Sequence, residues 1–68
     1  MSEASLYRAR AEQCRAEADA ATLENVRERC LRAAEAWEQM AARVERTGRM
    51  RAETEARKAA MIELQVSE

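Results

Sequence analysis

Apolar and small residues run outward from Thr22 in a mirrored pattern. Toward the N-terminus they fall at Ala21, Ala18, Cys14, Ala11, Tyr7 and Ala4, and toward the C-terminus at Leu23, Val26, Cys30, Ala33, Trp37 and Met40. Each residue on one side has a counterpart at the same separation on the other. Steps of three and four mark a helix that buries one stripe against a neighbour. The mirror therefore predicts two helices folded back on each other at Thr22. Continuing the first stripe without a break would select Asn25, Glu28, Arg32, Glu35 and Gln39, which are all polar. The second stripe is displaced from that path by two residues, about 200° of rotation at about 100° per residue. A single straight helix would carry its two apolar stripes on nearly opposite faces, whereas a turn at Ala20–Thr22 brings them together.

The predicted layers are Ala4–Met40, Tyr7–Trp37, Ala11–Ala33, Cys14–Cys30 and Ala18–Val26, each joining an a position on one helix to a d position on its antiparallel partner. Helix one is expected to start at Ser2, whose hydroxyl can accept from a free backbone N–H of the first turn, with Glu3 at the positive end of the helix dipole. Thr22 is the expected cap of helix two, and Glu24 suits its first turn. Arg8, Glu12, Arg15 and Glu17 in helix one, and Arg27, Glu28, Arg32, Glu35 and Glu38 in helix two, lie off the seam and are expected in solvent. Gly48, the only glycine, suits the left-handed position after a helix, so helix two is expected to end near Thr47. Beyond it Ala52, Ala56, Ala59, Ile62 and Val66 make a weak stripe, and Met50, Met61 and Leu64 another. These predict a third helix over roughly 51–64. The chain thus divides into an αα-hairpin, residues 1–47, and a weakly docked C-terminal helix, residues 48–68. The fold class is all-α.

Composition supports helix throughout. The 68 residues include no proline, and Ala, Glu and Arg predominate, all good helix formers. A chain this short buries little surface, so a staple or a partner subunit is expected. Ala34 and Ala41 would widen the apolar face of helix two, and Leu6 and Leu31 would add further surface. The expected outcome is a homodimer of two hairpins forming a four-helix bundle with twofold symmetry. No apolar run approaches the roughly 20 residues that span a bilayer. The N-terminus lacks the basic and apolar segments of a secretory leader, and a cytoplasmic location is the expectation.

The words Tyr7-Arg8-Ala9-Arg10-Ala11-Glu12-Gln13-Cys14-Arg15, followed by Arg27, Arg29, Leu31, Ala34 and Trp37, resemble a group of short, functionally uncharacterised proteins common in alphaproteobacteria. The likeness covers Tyr7–Ala41 and departs at Cys30 and Ala33, where that group more usually has Leu. It implies a helical hairpin and a bacterial source, and it brings no activity with it.

Candidate chemistry is sparse. Two Cys and no His leave little for a metal, and no metal or other cofactor is expected. Cys14 and Cys30 share a predicted layer. They are small apolar fillers, a disulfide closing a loop of about 15 residues and adding about 3 kcal/mol, or a redox pair needing an exposed thiolate. Tyr7 and Trp37 are core aromatics with polar tips or an anchor for a ligand, and Tyr7, Ala11, Cys14, Cys30, Ala33, Trp37 and Met40 form the expected core and interface set. The carboxylates come without His or a glycine-rich loop, and a two-helix hairpin offers no concave pocket, so no enzyme is expected. Net charge is −1. Residues 43–58 nevertheless hold six basic side chains, Arg43, Arg46, Arg49, Arg51, Arg57 and Lys58, against three Glu. That is either a solvated face or a phosphate-contacting one, with no stacking aromatic beside it. The sequence reads as a non-enzymatic interaction or oligomerisation module with an unidentified protein partner, in the manner of a regulator or adaptor. The alternative is a nucleic-acid-associated or antitoxin-like regulator working through residues 43–58.

Overall fold

The computed structural model describes residues 2–66 and consists of two helices, α1 (Glu3–Ala20) and α2 (Glu24–Val66). They form an antiparallel hairpin from which the far half of α2 projects. The molecule is correspondingly a rod, 69 Å long and 18 Å by 11 Å in section. Ser2 caps α1 as its position predicts: its backbone is extended (φ −77°, ψ 160°) and its Oγ accepts from the Ser5 N–H at 3.1 Å. At the other end the Ala21 N–H donates to the Ala18 carbonyl at 3.2 Å.

The turn falls where the mirror places it, with one shift. α2 begins at Glu24, and the Leu23 carbonyl accepts from the Arg27 N–H at 3.1 Å. Leu23 therefore stands at the capping position expected of Thr22, and it is exposed instead of opening the second stripe. Arg27 is exposed, as expected. Its guanidinium donates to the Ala21 carbonyl at 3.4 Å and pairs with Glu24 at 3.6 Å, tying the turn to the first turn of α2.

The hairpin is closed on alanines. Among the described residues the five buried ones are Ala4, Ala11 and Ala18 on α1, spaced by seven, and Ala34 and Ala41 on α2, also spaced by seven. Tyr7, Cys14, Val26, Cys30, Ala33, Trp37, Met40 and Val44 are half-buried around them. Ala34 and Ala41, each 0% exposed, were expected to widen an outer face for a second hairpin. They lie inside the hairpin itself. Without side chains beyond Cβ at these heptad positions, the two helices approach closely, and the larger residues flank the line of contact.

The expected third helix is not a separate element. α2 runs unbroken through Thr47 and Gly48 to Val66, and no glycine has positive φ. The reason is energetic. A glycine inside a helix costs only about 1 kcal/mol relative to alanine, and no proline or packed turn opposes continuation. Around it, Glu45 and Arg49, and Glu53 and Arg57, stand four residues apart in the order that supports a helix. The Thr54 hydroxyl also donates to the Met50 carbonyl at 2.9 Å. A methyl group added at Gly48 would meet nothing within 4 Å. Gly48→Ala is therefore expected to raise stability by about 0.5–1 kcal/mol. Circular dichroism should show more helix and a higher melting temperature; a fall in either would show that Gly48 serves a bend or a close contact.

Candidate interaction surface

The hairpin half holds the aromatic pair. The Tyr7 and Trp37 rings are in contact, with centroids 5.6 Å apart and planes inclined by 33°, within the range of favourable offset geometries. The Tyr7 hydroxyl donates to Glu3 Oε1 at 2.7 Å. That bond, made by the neutral phenol to a carboxylate, raises the Tyr7 pKa above its ordinary value of 10.0; partial desolvation and the Glu3 charge act the same way. Tyr7 is the only tyrosine, so absorbance at alkaline pH reports it alone. Its titration midpoint is expected above 10 and should return toward the ordinary value in Glu3→Gln. Because the folded-state value is the higher one, any stability from this bond is complete below about pH 10 and is lost as pH rises through the folded-state pKa. An unshifted midpoint would remove the hydrogen bond in solution.

Two ion pairs cross the hairpin along one edge of the alanine row. Arg8 pairs with Glu45, and Arg15 Nε donates to Glu38 Oε1 at 2.8 Å. Arg8 and Arg15 are seven residues apart, as are Glu38 and Glu45, so the two pairs repeat one heptad along. All four side chains are 40–50% exposed, and exposed pairs contribute little energy each; their role is to hold the helices in register. Arg8, Arg15 and Glu38 are exposed or half-exposed off the seam, in line with the sequence; their pairing across it is an addition to that expectation. The heptad spacing of opposite charges on the two helices was the available signal. Beside them lies a shallow, open depression bordered by Arg8, Ala11, Glu12, Arg15 and Glu38.

Of the expected core set, Ala11 is buried, while Tyr7, Cys14, Cys30, Ala33, Trp37 and Met40 are half-buried. Both thiols are free and half-buried. Among the described residues no group of His, Cys, Asp or Glu is arranged to hold a metal ion. Nor, among those residues, is any helix long and apolar enough to cross a membrane.

The second surface is the extension of α2. Every residue from Glu45 to Val66 is exposed. α1, 18 residues long, reaches only as far as the level of Val44. Five large apolar side chains stand on this bare stretch: Met50, Met61, Ile62, Leu64 and Val66, each 60–77% exposed. Four of the five crowd into its last six described residues. The basic set predicted from sequence lies here as well, all of it exposed, but it does not share one side. Arg49 lies about 60° beyond Arg46 around the helix axis, at about 100° per residue. The chain matches no protein-family model, no curated protein and no solved structure.

Proposed function

We propose that the protein is a non-enzymatic interaction module in which the hairpin braces a long helix and the extension of α2 is the binding element. The observation that carries this reading is the contrast between the two halves. The hairpin fully hides only alanines, while five large apolar side chains remain exposed on the extension. Most helical stability in proteins comes from packing an apolar side, and a helix that buries that side against a partner gains what this extension lacks. A second copy of the chain is the first partner proposed, through the end of α2. A four-helix bundle built from hairpin faces would rest on Leu6 and Leu31, 47% and 38% exposed, because Ala34 and Ala41 are already inside.

Sedimentation equilibrium over a wide concentration range tests this on the full chain and on a Met61→Gln, Ile62→Gln, Val66→Gln variant. The expected result is reversible association of the full chain, lost in the variant while its helical content stays. Immobilised full chain should likewise retain a defined protein from a host extract only if those side chains are present. A monomer at all concentrations, retaining nothing beyond what the variant retains, would overturn the proposal.

A further inference from the structure

Charges are distributed unevenly around α2, and its continuity through Gly48 is what reveals this. At about 100° per residue, Arg43, Arg46, Arg51, Arg57 and Lys58 fall within an arc of about 140°. Glu45, Glu53, Glu55 and Glu63, the acidic residues of the same stretch, all fall outside it. The centre of the arc lies about 120° around the axis from the side marked by Trp37, Ala41 and Val44, which α1 covers. All five cations are exposed. Arg29 and Arg32 continue the arc onto the hairpin half, with Glu28 at one edge. A break at Gly48 would have left Arg43 and Arg46 unrelated in direction to Arg51, Arg57 and Lys58.

Within the arc the residues are ordered. Arg46 and Arg57 lie toward one edge, Arg51 and Lys58 toward the other, and Met50, Thr54 and Met61 between them. We propose that this face of α2 is a docking surface for double-stranded DNA, with the helix lying along the major groove. A helix with its side chains is about 10–12 Å across, and the groove is about 12 Å wide. The extension, which carries all of these cations except Arg43, is bare on every side, so it can enter without the hairpin colliding. Cations along both edges meet the phosphates of the two rims. Arg, which supplies four of the five, grips phosphate with a planar fork. The methionines of the floor meet base edges such as thymine methyl groups. The floor shares Met50 and Met61 with the apolar set on which the protein-binding reading rests; the basic residues are the part of this face that reading does not use. The apolar floor is too thin to make insertion into a lipid surface the better account.

Fluorescence anisotropy of a labelled mixed-sequence duplex, titrated with the full chain at salt from about 50 to 200 mM, tests it. Binding is expected at the low end, with a slope of log affinity against log salt of about −4.5, as about five neutralised phosphates require. Changing Arg43, Arg46, Arg51, Arg57 and Lys58 together to Gln should leave the circular dichroism unchanged and lower affinity at least about a hundredfold. Changing Arg10 and Arg49, which lie off the arc, should cost no more than about threefold. No binding at the lowest salt would overturn the proposal. So would an equal loss in the Arg10, Arg49 variant. An A-form RNA duplex, whose major groove is too narrow for a helix, should bind at least tenfold more weakly; equal affinity would remove the groove assignment. Vesicles containing phosphatidylserine should compete poorly, and vesicle binding in preference to DNA would replace the partner with a membrane.

Discussion

Ala34→Leu with Ala41→Leu is expected to open the hairpin. Both positions are 0% exposed, and leucine brings three further carbons to each. Opposite them stand Ala4, Ala11 and Ala18, which hold the helices too close for that volume. Overpacking costs about 1–3 kcal/mol per site. Two sites on one seam therefore cost several kcal/mol, comparable to the whole stability of a small domain. Nothing behind α1 can recoil to absorb the strain except by α1 moving away. Trp37 emission should shift to the red as Tyr7 leaves it, and the cooperative thermal transition should broaden or vanish. Much of the helical signal should remain, because α2 beyond the hairpin does not depend on α1. The matched control is Ala36→Leu with Ala42→Leu, both exposed, which should alter the melting temperature little. A double variant at 34 and 41 that melts within a few degrees of the parent would mean that the helices are not in close alanine contact.

Those two alanines also mark how far the sequence can be read. The mirror about Thr22 identified the turn, the antiparallel pairing and the Tyr7–Trp37 contact, because each follows from spacing alone. It placed the inner row of helix two on Val26, Ala33 and Met40, which are half-buried, and treated Ala34 and Ala41 as outer. Ala33 and Ala34 are adjacent and equally apolar, about 100° apart around the axis, so hydropathy cannot choose between them. The choice is made by the facing helix: Ala4, Ala11 and Ala18 permit close approach, and close approach selects alanine on the other side too. Gly48 misleads for a different reason. A glycine ends a helix when the chain has somewhere else to pack, and after Thr47 it has nowhere. Local propensity then continues the helix. With the break removed, the basic residues that looked scattered through a turn and a third helix fall into one phase, apart from Arg49.

Trp37→Ala is expected to cost the hairpin about 2–3 kcal/mol, somewhat below the range for a fully buried aromatic, since Trp37 is only half-buried. Alanine is the best helix former, so helix propensity works against the loss, and whatever loss is measured is tertiary. Two parts should separate. One is the apolar area Trp37 covers over the alanine row; the other is its contact with the Tyr7 ring at 5.6 Å. A double-mutant cycle with Tyr7→Ala should return a coupling of about 0.5–1.5 kcal/mol for the ring pair, measured by urea denaturation followed at 222 nm. Trp37→Phe keeps a ring against Tyr7 and should recover most of that coupling while losing part of the covered area. The expected order of stability is parent, then Phe, then Ala. If Tyr7→Ala and Trp37→Ala prove additive, the two rings act separately, and the hairpin is then held by its alanine row and the Arg8–Glu45 and Arg15–Glu38 pairs without help from the aromatic contact.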